Sequence, residues 1–349
     1  MPNGRDTGFS KLAPHRVNVS TPGRKYTEFA CGRRLTRQAP PEGPPASAGI
    51  PAKSMIAQMY HNVTQFRLQG PGMRQILLMS FTILIFSAAG AAVGRAQAFQ
   101  TKAPYALLID YNTGTVLFQK NADLPMAPAS TTKILTAEII FGELAGGRLR
   151  LDDTMPISAK AAREGDAETG GSSMFAQVNT RVRVEDLLRG LLITSGNDAA
   201  IALAEGLAGT EESFATLMAR RARELGMVRS TFTNPWGRGD AGQKVTPRDM
   251  ARLAAHVISA YPQFYKYFGE REFTWNNIRQ LNRNPLLGMN IGADGLKTGH
   301  LAKSGYGLVG SAVQNGHRLI LVLNGLKSEG ERASEARALL EWGFQAFGR

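Results

Sequence analysis

Cysteine is nearly absent from this chain of 349 residues, which contains only Cys31. A disulfide-stapled fold is therefore excluded, and the domain that follows the N-terminal region has no thiol nucleophile. Histidine is also scarce, with five residues, and no group of His, Asp and Glu residues shows metal-ligand spacing. No glycine-rich phosphate loop is evident in the sequence. We expect neither a metal ion nor an organic cofactor.

The chain carries a formal net charge of +13, and much of the basic excess lies near the N-terminus. Residues 1–72 hold ten Lys and Arg residues against Asp6, Glu28 and Glu42, whereas residues 99–349 hold 29 basic and 25 acidic residues. We find no basic helix and no basic sheet with interleaved aromatic residues, which are features of nucleic-acid-binding domains. The charge therefore does not indicate nucleic acid as a partner.

Residues 73–98 contain the three parts of a secretory signal peptide. Met73-Arg74 gives a basic start, Ile76 to Phe86 is apolar, and Ala96-Gln97-Ala98 is a small-residue cleavage site. Cleavage there would leave Phe99 as the first residue of the mature chain. The alternative is an uncleaved membrane span over 76–93, but Ser, Gly and Ala in its second half favour cleavage.

The segment 1–72 that precedes this signal is rich in Pro, Gly and Ala between Pro40 and Pro51. Such a composition is typical of disorder. We therefore expect residues 1–72 to be either a disordered extension or the product of an upstream mis-start.

Strand patterns lie at both ends of the remaining chain, and helical patterns lie between them. Tyr105–Asp110 and Thr115–Gln119 predict a β-hairpin. We expect the strands of both ends to share one antiparallel sheet, flanked by helices, with the helical block as an inserted subdomain and a cleft between the two. The predicted fold class is therefore α/β of the α+β type. Helices are predicted over 131–145, 184–194, 198–207, 211–225, 246–258 and 334–347, and further strands over 295–300, 306–313 and 318–324.

Ser130 and Lys133 form an S-x-x-K pair at the start of the first predicted helix. Residues three apart in a helix lie one turn apart on the same face. A serine hydroxyl is a weak nucleophile until a base removes its proton, and a lysine can be that base where burial and neighbouring cations lower its pKa. The pair alone leaves open the alternative that Ser130 caps the helix and Lys133 is solvated.

Ser195-Gly196-Asn197 lies between two predicted helices. Ser195 could pass a proton there, and the amide of Asn197 could hold a substrate amide through both its donor and its acceptor. The alternative is purely local, with Gly196 ending one helix and Asn197 capping the next.

Lys297-Thr298-Gly299 lies on a predicted strand. Facing the cleft, Lys297 would supply a fixed positive charge, the Thr298 hydroxyl could bind a carboxylate, and Gly299 would let a substrate backbone approach closely. A similar string, Lys303-Ser304-Gly305, falls in a predicted turn where its lysine would point to solvent, so we reject it.

The three motifs occur in the order seen in serine penicillin-recognising enzymes. From about Ala103 to Phe347 the sequence resembles the serine D-alanyl-D-alanine carboxypeptidases, which are low-molecular-weight penicillin-binding proteins. The resemblance implies the transpeptidase fold shared by penicillin-binding proteins and β-lactamases, with residues 99–349 as the catalytic domain. The segments that carry it are Ala127–Lys133, Gly171–Phe175, Asp186–Ala199, Asn234–Pro235, Arg248–Met250, Asn282–Asn284, Asp294–His300 and Glu341–Phe344.

The resemblance also implies catalytic roles. Ser130 attacks the carbonyl between the two D-alanines of a peptidoglycan stem peptide, and Lys133 accepts its proton. Ser195, with Lys297 nearby, relays a proton to the departing D-alanine, and Asn197 positions the peptide. Water then hydrolyses the acyl-enzyme, and a β-lactam acylates the same serine.

Substrate contacts follow from the resemblance in the same way. Backbone N–H groups of Ser130 and His300 form the oxyanion hole beside Gly299, and the terminal carboxylate meets Thr298, Arg283 and Arg332. For Arg332 the alternative is a surface arginine. The implied partners are peptidoglycan pentapeptide stems and, as inhibitors, β-lactam antibiotics. The implied location is the periplasm or cell envelope.

Some positions depart from the family's usual pattern. Trp236 and Arg238 stand where His and Leu are common, Gln243–Val245 replaces an aromatic-Ser-Thr run, and Leu301 replaces Thr. These differences concern substrate-side contacts. Many relatives continue into a β-rich domain and an amphipathic anchor helix. Neither is recognisable up to Arg349, so membrane association is left open.

Other activities are compatible with parts of this pattern. A serine β-lactamase shares the motifs, but its E-x-x-L-N deacylation string does not occur here. A D,D-endopeptidase acting on cross-links is a further alternative. A non-catalytic peptidoglycan-binding protein would be expected to lose Ser130, Lys133 or Lys297, and all three are present. We therefore favour the carboxypeptidase.

Overall fold

A computed structural model describes residues 99–165 and 171–347. The extension predicted over residues 1–72 and the signal peptide predicted over residues 73–98 lie outside the described residues. Among the described residues, we find no helix with the length and apolar character of a membrane span.

Nine strands and eight α-helices make up the described part of the chain. The strands are β1 (Tyr105–Asp110), β2 (Val116–Lys120), β3 (Thr154–Pro156), β4 (Arg181–Arg183), β5 (Glu272–Trp275), β6 (Ile278–Leu281), β7 (Ala293–Leu301), β8 (Gly305–Gln314) and β9 (His317–Leu326). The helices are α1 (Lys133–Ala145), α2 (Ala159–Glu164), α3 (Val184–Leu192), α4 (Asn197–Ala208), α5 (Glu211–Glu224), α6 (Pro247–Ala260), α7 (Pro262–Tyr265) and α8 (Glu329–Phe347).

Strands from both ends of the described chain form one five-stranded antiparallel sheet in the order β2-β1-β9-β8-β7. Alternating side chains of β1 separate two apolar cores, because successive residues of a strand point to opposite faces. Leu107 packs with the helical block, whereas Leu108 packs under α8 with Leu339 and Leu340. The predicted sheet and its flanking helices are confirmed.

Helix α8 lies very close to the sheet at Gly343. A Cβ at this position would lie 2.6 Å from Leu108 Cδ2 and 2.9 Å from Leu319 Cδ1, so any larger residue would force these two side chains to shift. The helix begins five residues before its predicted start at residue 334. Its first residues lack apolar periodicity, and the start is fixed instead by Ser328, whose hydroxyl accepts the backbone N–H of Glu331 at 3.1 Å.

The helical block is built around α4, whose residues from Asn197 to Ala204 are all buried. The predicted helices over 184–194, 198–207, 211–225 and 246–258 are confirmed within a few residues at each end. Thr246 caps α6 as expected, since its hydroxyl accepts the N–H of Asp249 at 3.2 Å. Burial of apolar residues and local capping therefore account for the bounds of these helices.

Several short elements were not predicted from the sequence. Helix α2 and the pair β3-β4 are too short to give a clear periodicity, although Ser158 caps α2. The hairpin β5-β6 turns at Asn276 and Asn277, with φ of 48° and 62°. Asparagine tolerates this left-handed conformation, which a two-residue hairpin turn requires. This hairpin leads directly into the segment that carries Arg283.

Candidate active site

A cavity of about 230 Å³ opens beside the edge strand β7. Most of the predicted site residues line it, and the remaining three, Lys133, Asn197 and Lys297, are buried. Ser172, Tyr306 and Glu329 also line it and were not predicted as site residues. The predicted residues that line it are Ser130, Ser195, Arg283, Thr298, Gly299, His300 and Arg332.

Ser130 lies in a single 3-10 turn, Ala129–Thr132, that runs directly into α1. The prediction placed it at the start of the α-helix itself, but the first turn is tighter because Thr131 N–H bonds to Pro128 O at 3.2 Å. Lys133 Nζ lies 3.0 Å from Ser130 Oγ. The nucleophile and amine of the S-x-x-K motif are therefore in direct contact.

Lys133 is fully buried and has three polar neighbours. Besides Ser130, these are Asn197 Oδ1 at 2.9 Å and the backbone carbonyl of Trp236 at 2.8 Å. Burial lowers the pKa of the Lys133 ammonium well below its usual value, and the positive charge of Arg283 lowers it further. The solvated-lysine alternative is wrong.

Asn197 is held by backbone contacts on both sides. Its Nδ2 donates to Glu164 O at 3.2 Å, which orients Oδ1 toward Lys133, and its N–H donates to Ser172 O at 2.6 Å. Asn197 is the first residue of α4 and its side chain caps nothing. The local alternative of a capping asparagine is therefore wrong, and Asn197 Oδ1 is engaged with the buried amine rather than left free.

Ser195 reaches the cavity through an unusual backbone conformation. Its φ is 63°, in the left-handed region, between the end of α3 and the start of α4. The side chain of Asp198, buried one turn further on, accepts the N–H groups of Met174 and Ala176, each at 3.1 Å, and so ties the segment after Gly171 to α4. Ser172 and Ser195, which both line the cavity, lie next to these contacts in the sequence.

The carbonyl of Trp236 is held in place by a network that sequence reasoning did not find. Asn234 Oδ1 accepts the N–H groups of Gly237 at 2.8 Å and Arg238 at 3.0 Å. Gln243 joins this loop to the turn Ala129–Thr132, called the serine turn below, since its Nε2 donates to Thr132 Oγ1 at 3.1 Å. The sequence pointed to this loop only through Asn234–Pro235, one of the segments that resemble the family. The Trp236 carbonyl itself could not be predicted, because a residue of any type supplies the same backbone acceptor.

Strand β7 contributes Thr298, Gly299 and His300 to the lining of the cavity. A Cβ at Gly299 would lie 2.9 Å from Pro128 O and 3.2 Å from Thr131 N, so glycine is needed for this strand to approach the serine turn. Lys297 is 1% exposed and its Nζ donates to Thr298 O at 3.1 Å. Burial, with the charges of Lys133, Arg283 and Arg332, lowers the Lys297 pKa well below its usual value. Lys303 of the rejected string is exposed in the β7-β8 turn, as predicted.

Two arginines that line the cavity supply positive charge. Arg283 Nη1 donates to Ser172 Oγ at 2.7 Å. Arg332 is 4% exposed, so it is not a surface arginine. Its guanidinium lies 5.6 Å from the centre of the Tyr306 ring, and that ring stacks on His300 with a centroid distance of 4.0 Å. Burial lowers the pKa of both arginines from their usual value, and both retain their charge.

The described residues contain no group of three or more His, Cys, Asp or Glu side chains placed to hold a metal ion. The site instead combines the Ser130 hydroxyl and further hydroxyls with two buried amines and two guanidinium groups. Such an arrangement can activate a serine for acyl transfer and can bind a carboxylate beside it.

Comparison with known proteins identifies the family. Residues 91–328 match the family described as D-alanyl-D-alanine carboxypeptidase. The chain is 42% identical over 270 residues to D-alanyl-D-alanine carboxypeptidase DacC of Escherichia coli K12, covering 77% of this chain and 68% of that one. It is 40% identical over 243 residues to DacA of Haemophilus influenzae, covering 69% of this chain and 61% of that one. The chain thus spans about two thirds or less of these relatives' lengths.

Solved structures agree with this assignment. Penicillin-binding protein 5 of Haemophilus influenzae is 39% identical with a TM-score of 0.68, covering 71% of this chain and 72% of that chain. Penicillin-binding protein D2 of Listeria monocytogenes, in its ampicillin-bound form, is 28% identical with a TM-score of 0.63, covering 70% and 98%. The predicted fold and the predicted family of serine-type carboxypeptidases are confirmed. The chain belongs to the D-alanyl-D-alanine carboxypeptidase family.

Proposed function

We propose that this chain removes the terminal D-alanine from peptidoglycan stem peptides through an acyl-enzyme on Ser130. The observation that carries the proposal is the position of Lys133 Nζ, 3.0 Å from Ser130 Oγ and buried from solvent. The family relationship supplies the reaction class. The individual roles are argued from the contacts of each side chain.

Lys133 acts as the base because of how its hydrogen bonds are distributed. A neutral amine has two N–H groups and one lone pair. Asn197 Oδ1 and the Trp236 carbonyl can only accept in their present orientation, so they take the two N–H groups. The lone pair is left for the Ser130 hydroxyl, which donates its proton as its oxygen attacks the peptide carbonyl.

Separate groups bind the oxyanion formed at the scissile carbonyl and the terminal carboxylate of the substrate. The new oxyanion accepts the backbone N–H groups of Ser130 and His300, a contribution of about 3 kcal/mol per donor in comparable sites. The terminal carboxylate is bound by the Thr298 hydroxyl and by Arg283 and Arg332, which all line the cavity. Bound there, the carboxylate raises the pKa of Lys297 and favours its charged form.

The departing D-alanine must gain a proton, and the acyl-enzyme must then be hydrolysed. Ser195 passes its proton to the amine of the departing D-alanine as the C–N bond breaks, and it regains a proton from the Lys133 ammonium. The acyl group remains on Ser130, and Lys133 is again a neutral base. Water attacks this ester, its proton returns to Ser130 through Lys133, and the shortened peptide is released. A β-lactam follows the first half of this path and remains on Ser130, in keeping with the ampicillin-bound Listeria relative.

The cellular setting is part of the same proposal. Relatives in this family are bacterial cell-wall enzymes, and peptidoglycan stems lie outside the cytoplasm. We therefore infer secretion by the signal peptide of residues 73–98 to the periplasm or cell envelope, with residues 99–349 as the catalytic domain. N-terminal sequencing of the secreted protein tests this, with Phe99 expected as the first residue.

The catalytic proposal is tested with a fluorescent penicillin and a D-alanyl-D-alanine peptide. The protein should be labelled and should release D-alanine, and Ser130→Ala should do neither. Peptide cleavage that survives in Ser130→Ala would refute the nucleophile. Rapid penicillin turnover without peptide cleavage would instead indicate a β-lactamase.

A further inference from the structure

One carboxylate lines the otherwise cationic cavity. Glu329, the first residue of α8, lies at its mouth, and its Oε1 is 3.5 Å from Arg332 Nη2. Its side chain is 74% exposed, whereas that of Arg332 is 5% exposed. A largely exposed acid therefore lies beside a buried guanidinium that is assigned to the substrate carboxylate.

The contact with Glu329 leaves at least one N–H donor of Arg332 unused. Its Nε is buried without a hydrogen-bond partner among the described residues. The Tyr306 ring supports the guanidinium from one face, 5.6 Å from its centre. The guanidinium can therefore stay in place while one carboxylate leaves and another arrives.

The same carboxylate acts on the second arginine of the site. The negative charge of Glu329 opposes the effect of burial on the pKa of both Arg283 and Arg332. It thereby partly satisfies the two desolvated cations when no ligand is bound.

We propose that Glu329 is an internal substitute for the substrate's terminal carboxylate, which must displace it from Arg332 to bind. Glu329 therefore lowers the affinity of the cavity for all ligands with a free carboxylate and sets the level of substrate at which the site fills. This inference rests on the proposed function, because it takes the ligand to be a peptide ending in a free carboxylate.

Binding to protein that cannot turn over tests the displacement. In a Ser130→Ala background, Glu329→Gln should lower the Kd of N-acetyl-D-alanyl-D-alanine about fivefold, the scale of one exposed ion pair. The Kd of the C-terminal amide should not change. Glu329→Asp, which keeps the charge on a shorter side chain, should give an intermediate value.

Glu341→Gln is the matched control. It removes the same charge from the same helix, where Glu341 pairs with Arg337 at 2.6 Å outside the cavity. Its ratio of acid to amide affinity should equal that of the unmodified protein. Thermal melting of each variant checks that the fold is retained.

Several outcomes would overturn the inference. An unchanged or raised Kd for the acid in Glu329→Gln does so, as does an equal gain for acid and amide. Weaker binding of a peptide with a lysine side chain, at unchanged acid affinity, would make Glu329 a site for an ammonium group instead.

The proposed function can fail separately. If the unmodified protein releases no D-alanine but Glu329→Gln tightens acid binding, the hydrolase proposal fails and the displacement stands. If D-alanine is released and the acid to amide ratio does not move, only the role of Glu329 is wrong.

Discussion

Asn197 Oδ1 lies 2.9 Å from Lys133 Nζ, although the two residues are 64 positions apart in the sequence. The contact joins the first turn of α4 to the first turn of α1, and the amide is oriented by Glu164 O. Because an amide oxygen is a neutral acceptor, it can hold the amine without stabilising an ammonium as a carboxylate would. A residue outside α1 therefore supplies an uncharged acceptor beside the Lys133 amine.

Asn197→Asp tests this neutral contact. A carboxylate 2.9 Å from Nζ should raise the Lys133 pKa and keep it charged, so acylation by penicillin at neutral pH should slow by about 10- to 100-fold. The loss should shrink as the pH is raised. Asn112→Asp, the same change at an exposed position, should have no effect. An unaltered pH dependence in Asn197→Asp would show that Asn197 does not govern the base.

Lys133→Arg tests the need for an amine that can lose its proton. Arginine keeps the charge but cannot be deprotonated in proteins, so acylation of Ser130 should fall by about a thousandfold or more. Lys303→Arg is the control, because Lys303 lies in the exposed β7-β8 turn of the similar K-S-G string. Stopped-flow measurement of penicillin acylation gives both rates, and near-normal acylation in Lys133→Arg would remove Lys133 as the base.

Gly237→Ala tests the packing of the Trp236 loop on the serine turn. The added Cβ would lie 2.0 Å from Ala129 O and 2.8 Å from Ser130 N, at a φ of 93°. The serine turn must shift, so acylation should drop by at least about tenfold and the melting temperature should fall.

Gly114→Ala is the control for backbone strain alone. Its φ is 71°, but the added Cβ would have no atom within 4 Å. It should cost about 1 kcal/mol of stability and leave acylation unchanged. Equal acylation rates in the two alanine variants would contradict a role for the close approach at Gly237.

Much of the fold and part of the site followed from short-range patterns. The hairpin of β1 and β2, the helix after Ser130 and the late strand carrying Lys297 are each visible in a few consecutive residues. The S-x-x-K spacing alone places Lys133 one turn from Ser130. In these cases the periodicity of a few neighbouring residues is enough to predict the element that forms.

Other parts of the site depend on contacts that leave no local pattern. The Trp236 carbonyl would be an acceptor with any residue at that position, and Arg283 reaches Ser172 across 111 residues of sequence. The burial of Arg332 against Tyr306 follows from the packing of α8 on the sheet. Such contacts arise only when distant elements are brought together, so the sequence could not reveal them without a resemblance.

The pH dependence of Ser130 acylation by a fluorescent penicillin tests the central claim most directly. Burial lowers the Lys133 pKa from its usual value of 10.5, so the amine should be neutral well below pH 10.5. Acylation should therefore reach its plateau well below that pH and decline on acidification, as Lys133 gains a proton and loses its lone pair. A rate that keeps rising to pH 10.5, as for an ordinary solvated lysine, would contradict a buried neutral base.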